Sequence, residues 1–170
     1  MMRVYKTVRL AYETKLWLDQ LIIYREKQLQ QEMKKGIISE LEAKMQNQYG
    51  DILDGISFNI VMKVSSGSVL EQAYRYCEAQ EFSDEEWSEI ERRMIREIKN
   101  CDFQSETTVT PRLYLDENIL DGLEQYRYKF KINEKGKSLP RLSYIIKLVV
   151  FAFLDNINCQ IKLDNSSLHM

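Results

Sequence analysis

Two kinds of hydrophobic pattern alternate along this chain, and the pair occurs twice. In Thr7-Val8-Arg9-Leu10-Ala11-Tyr12 the apolar positions are Val8, Leu10 and Tyr12; in Thr110-Pro111-Arg112-Leu113-Tyr114-Leu115 they are Pro111, Leu113 and Leu115. A period of two predicts a short, half-buried strand at each place. Each segment has Thr, then Arg two places on, then Leu, so the two read as copies of one unit. Pro111 suits the start or edge of a strand.

A helical period follows each strand. Trp17-Leu18-Asp19-Gln20-Leu21-Ile22-Ile23-Tyr24-Arg25 lines up with Ile119-Leu120-Asp121-Gly122-Leu123-Glu124-Gln125-Tyr126-Arg127, the first copy having one extra residue between strand and helix. In the second copy Asp116 can cap the helix, and Ile119, Leu120, Leu123 and Tyr126 form one apolar stripe. A second helix is predicted after each first. Gly136-Lys137-Ser138-Leu139-Pro140 supplies a turn, a hydroxyl cap and an early proline before a very apolar helix from Arg141 to about Asn156. In the N-terminal half, Ser65-Ser66-Gly67-Ser68 leads into Val69-Leu70-Glu71-Gln72-Ala73-Tyr74-Arg75-Tyr76.

Two segments stand outside this repeat. Within about 27–63, Gln28 to Gln48 is rich in helix formers, and Ile56 to Met62 alternates like a strand or hairpin arm. Ser83-Asp84-Glu85-Glu86 fits a capping box opening a helix from Asp84 to about Lys99, with Trp87, Ile90, Met94, Ile95 and Ile98 inward. The organisation expected is an N-terminal half over 1–80 with its insertion, an acidic connecting helix and linker over 81–106, a C-terminal half over 107–156 and a tail over 157–170.

The net charge of −2 conceals a division. Residues 1–35 hold eight Lys or Arg against four Asp or Glu, and 111–154 hold eight against five; 64–110 hold five against eleven. A polyanion responds to the local field and not to the sum. The three cysteines, Cys77, Cys101 and Cys159, are far apart and without a Cys-x-x-Cys pair, which points to reduced thiols. His169, the single histidine, lies in the polar tail. No phosphate loop, metal-ligand spacing or nucleophile elbow is present, so catalysis and cofactors are not expected. The most hydrophobic stretch, Leu142 to Leu154, is broken by Lys147 and is too short to span a bilayer, so it reads as a buried helix in a cytoplasmic protein.

The stretch Arg112-Leu113-Tyr114-Leu115-Asp116-Glu117-Asn118-Ile119-Leu120-Asp121-Gly122-Leu123-Glu124, with Gly136-Lys137-Ser138 introducing the next helix, resembles the ribbon-helix-helix class of the MetJ and Arc repressors. The resemblance covers about 45 residues of the C-terminal half and extends less closely to the N-terminal half. It implies a mainly α fold of two ribbon-helix-helix half-units in one chain. They would share a short two-stranded antiparallel ribbon pairing Thr7–Tyr12 with Thr110–Leu115, together with the helical insertion and connecting helix. In this class the ribbon enters the major groove of double-stranded DNA. Thr7, Arg9, Ala11, Thr110, Arg112 and Tyr114 would read bases. Arginine can offer two donors to guanine O6 and N7, and threonine can contact a thymine methyl.

Phosphates would be held at the starts of the second helices, by Ser65, Ser66, Gly67, Lys137, Ser138, Leu139 and Arg141. The acidic connecting helix is expected on the side away from the ribbon, since it would repel DNA. The implied function is sequence-specific DNA binding, as a transcriptional repressor of a bacterial plasmid or phage, or as an accessory factor in plasmid transfer or partition. A module that binds a toxin or host protein is the alternative of another class. Self-association through outer helices is compatible with either.

Overall fold

A computed structural model describes residues 2–101, 107–131 and 138–167. In chain order the elements are β1 (Arg3–Thr7), β2 (Leu10–Ala11), α1 (Tyr12–Lys34), α2 (Ile37–Leu53), α3 (Ser66–Gln80), α4 (Asp84–Asn100), β3 (Thr108–Val109), β4 (Arg112–Asp116), α5 (Glu117–Lys131) and α6 (Leu142–Ser167). The fold is mainly helical, with very little sheet.

The strands pair within the one chain. β1 runs antiparallel to β4, with Tyr5 opposite Tyr114, Arg3 opposite Asp116 and Thr7 opposite Arg112. A second ladder of two residues joins Leu10 to Val109 and Ala11 to Thr108. The expected pairing of Thr7–Tyr12 with Thr110–Leu115 is thereby corrected. The ribbon is antiparallel and intramolecular, but its N-terminal strand lies four residues earlier. The alternation read in 7–12 is real, since Val8 and Leu10 are buried beside exposed Thr7 and Arg9. It continues over the junction between two small ladders, however, and Tyr12 already belongs to α1.

Helix boundaries follow local chemistry. Ser65 and Ser83 each complete a capping box, with Ser68 and Glu86 as reciprocal partners, so that two orphan N–H groups are satisfied at each start. Asp116 Oδ1 accepts from the Asn118 N–H at 2.9 Å, the cap expected for α5. Gly36, at φ 88°, closes α1 in the left-handed region, and α2 begins directly after it.

Other expectations are revised. Ile56 to Met62 contains no strand. Its side chains alternate, but among the described residues no second strand lies alongside, and an unpaired strand has no ladder to stabilise it. α6 starts at Leu142, with the Arg141 carbonyl accepting the Ile145 N–H, so Ser138 lies outside the helix. It continues to Ser167, well past Asn156. On α4, Trp87, Ile90 and Met94 are buried and Ile98 packs on the core, but Ile95 is exposed.

The core is organised around α6. It packs against α1, α3, α4 and α5, and it buries Ile145, Ile146, Val149 and Val150 completely. Leu113 and Leu115 bring the inner face of β4 into the same cluster, and Trp17, Leu18 and Leu21 bring α1. By length and composition α6 could cross a membrane; more than half of its most apolar window is covered by the rest of the chain. The acidic α4 packs against α6, where Arg93 pairs with Asp155 at 3.1 Å. Trp87 of α4 meets Tyr126 and Phe130 of α5 edge-on.

Candidate nucleic-acid interface

The outward face of the ribbon is polar and aromatic because its inward positions are taken by the core. Burial alternates along β4, with Arg112 and Tyr114 exposed and Leu113 and Leu115 buried. Arg3, Tyr5 and Thr7 are the exposed positions of β1. Five side chains thus share one surface turned away from the helices.

Backbone hydrogen bonds bracket the ribbon at Val8 N–H to Pro111 C=O and at Glu117 N–H to Met2 C=O. Antiparallel pairs alternate between bonded and non-bonded, so the bracket makes Tyr5 and Tyr114 a non-bonded pair. Side chains approach most closely at such pairs, and the two rings lie with centroids 4.6 Å apart. On the diagonals, the Arg112 guanidinium sits 4.0 Å over the Tyr5 ring and that of Arg3 lies 5.4 Å from the Tyr114 ring centroid. Stacking occupies the flat face of a guanidinium and leaves the N–H donors on its rim for hydrogen bonding.

A buried carboxylate fixes one end of this surface. Glu71 of α3 accepts from Arg3 at 3.1 Å and from the Asp116 backbone N–H at 2.7 Å, and Arg75 lies 3.7 Å away. A buried charge is tolerated when it is paired and hydrogen-bonded in this way. The contact ties α3 to both strands. Gly67, at the start of α3, ties it again: a Cβ there would fall on the Tyr114 carbonyl oxygen. The non-bonded pair turns that carbonyl outward, and a helix start without a side chain can lie against it.

Among the residues expected to read bases, Thr7, Arg112 and Tyr114 lie on this face. Thr110 is exposed just before it. Arg9 lies beyond the end of β1, and its Nε donates to Thr108 Oγ1 at 2.7 Å. Ala11 is half-buried in the second ladder, at the start of α1, so it lies off the face and is corrected on that ground.

Of the expected phosphate ligands, Ser65 and Ser66 flank the start of α3, and Gly67 is buried against the strand. Ser138 and Arg141 are exposed ahead of α6, and Leu139 is half-buried. The Pro140 carbonyl there accepts from Arg127 Nε at 2.7 Å. Pro140 and Arg141 line a cavity with Ala11, so the start of α6 lies beside the second ladder as that of α3 lies beside the first. Lys137 falls outside the described residues.

Arg3 and Tyr5 were not among the sequence candidates. Their signal is a second repeat, Arg3-Val4-Tyr5 against Arg112-Leu113-Tyr114, which places like residues at like positions about the Tyr5–Tyr114 pair. The thiols lie elsewhere. All three cysteines are free, and burial pushes Cys77 up to about 12. Among the described residues no group of His, Cys, Asp or Glu is arranged to hold a metal ion. Comparison with family models, curated proteins and solved structures found no match to this chain.

Proposed function

We propose that the chain is a single-chain counterpart of a ribbon-helix-helix dimer and binds duplex DNA sequence-specifically, acting as a transcriptional regulator. The observation that carries this reading is the exposed ribbon face bearing Arg3, Tyr5, Thr7, Arg112 and Tyr114. A two-stranded ribbon is of a size that the major groove admits, and arginine and threonine are side chains that read base edges there. Two helix starts flank the strands, and the positive dipole end of a helix favours a phosphate. The acidic α4 packs on α6 and the end of α5, and its Glu91 accepts from Tyr144 in the first turn of α6. Because Asp116 is buried where its counterpart Thr7 is exposed, the two halves of the bound site would differ.

Selection of bound duplexes from a random pool tests the reading: one sequence should emerge. Arg112→Ala should then weaken binding by about 1–3 kcal/mol and relax the preference at one position. Its thermal unfolding should be nearly unchanged, since the side chain is exposed. Failure to enrich any sequence, or wild-type affinity in Arg112→Ala, refutes the assignment. Footprinting at the native locus separates a repressor, which covers a promoter, from an accessory factor, which covers a nick or partition site.

A second reading, a protein-interaction module, draws on the insertion, where Ile52 is 71% and Val61 84% exposed. Salt separates the two. DNA binding weakens steeply as salt is added, whereas a complex held by apolar burial does not.

A further inference from the structure

A groove lies beside α3, on the side of the insertion. Arg25 of α1, Lys63 of the segment entering α3 and Arg75 of α3 line it, together with Ser68, Gln72 and four apolar side chains, and no carboxylate is in its wall. Among the described residues, neither Arg25 nor Lys63 has an ion-pair partner. Arg75 shares the one buried carboxylate of Glu71 with Arg3, so two cations there face one anion. A cleft lined by one sign of charge concentrates the field and attracts the opposite charge.

We propose that this groove carries the phosphate backbone of the DNA duplex beyond the stretch that the ribbon reads, so that the insertion lengthens the contact on its own flank. The inference rests on the DNA-binding reading above. Two connections place the groove next to the ribbon. Ser68 belongs to the same first turn as Gly67, which lies on the Tyr114 backbone, and Arg75 and Arg3 meet at Glu71. A strand of phosphates leaving the start of α3 would therefore meet the three cations next.

Among the described residues, the cations beside the start of α6 are fewer and one of them is paired. Beside the start of α6 the cavity is lined by Arg141 and Lys147, and Lys147 is held by Glu13 at 2.6 Å. Residues 132–137, between α5 and α6, lie outside the described residues. This difference among the described residues is what the inference turns into a longer contact on the α3 flank.

The test uses the full chain on the duplex selected from the random pool, extended by about 10 base pairs, one helical turn, on each side. Hydroxyl-radical footprinting of the wild type should show protection reaching beyond the selected sequence on at least one flank. Arg25→Gln, Lys63→Gln and Arg75→Gln combined should remove that extension and make the dependence of log affinity on log salt shallower by roughly 2 to 3, with the preferred sequence unchanged. Lys63→Glu alone, in a segment outside any helix or strand, should shorten the same flank, and it serves if the triple variant unfolds. A triple variant with the wild-type slope and an unaltered footprint overturns the inference while DNA binding sensitive to Arg112→Ala stands. If the wild-type chain protects no duplex, the inference falls together with the reading beneath it.

Discussion

α6 and α2 are both helices with many apolar residues, but the structure uses them in opposite ways. α6 buries eleven side chains, from Leu142 to Ile157; α2 buries none. The difference lies in the neighbours. Four other helices surround α6, whereas α2 packs chiefly on α1. An apolar stripe contributes to stability only where other elements remove it from water, at roughly 25 cal/mol per Å². The two helices therefore make opposite predictions. Ile146→Ala, at a site with no solvent exposure, should cost ~2–5 kcal/mol in urea unfolding, since it leaves a cavity that the packed core cannot close. A loss under about 1 kcal/mol would show that α6 is not what the fold is built on.

The two second helices differ as well, and Gly67 is where the difference can be probed. α3 reaches the ribbon backbone directly through this glycine, while α6 starts beside the second ladder. Gly67→Ala places a methyl group against the Tyr114 carbonyl, which cannot move without disturbing the β1–β4 register. Overpacking of this kind typically costs 1–3 kcal/mol. A stability loss in that range, with faster amide exchange in β4 than in α6, is the expected outcome. Uniform exchange across both would mean that the start of α3 does not support the ribbon on its own.

Local chemistry was the legible part of the sequence. Ser65, Ser83 and Asp116 announce their helix starts because a cap is decided within four residues. The inward side of α5 could be read from Ile119, Leu123 and Tyr126 because burial repeats every turn. Pairing between distant strands is another matter. Thr-x-Arg-Leu and Arg-x-Tyr are both repeats, and nothing local says which one lies opposite itself; the buried Val8 and Leu10 continue the strand's alternation into the next ladder. The start of β1 was misplaced for that reason, and with it Arg3 and Tyr5 were missed.

The end of α6 was illegible for a different reason. Residues 158–167 are exposed, so their helix has no buried stripe to announce it. Ile95 shows the converse: an apolar residue beside a stripe of Trp87, Ile90 and Met94 can still face solvent. The Ile56 to Met62 segment shows that alternation needs a partner strand as well as a pattern.

The smallest effect belongs to the insertion. Ile52 lies near the end of α2, past the non-helical backbone at Tyr49, and is 71% exposed. Ile52→Ser removes an apolar side chain that is already in water in the folded chain, so folding loses almost no burial. Ile and Ser also have nearly equal helix propensity, which leaves the backbone indifferent to the exchange. The change in unfolding free energy should stay within about 0.5 kcal/mol, measured at low protein concentration. Repeating the measurement at high concentration sharpens the contrast with α6. A cost that grows with concentration would show that a second copy of the chain covers Ile52, since only association makes stability depend on concentration. A cost above about 1 kcal/mol at every concentration would instead mean that α2 is packed within its own chain as α6 is, and the opposition between the two helices would not hold.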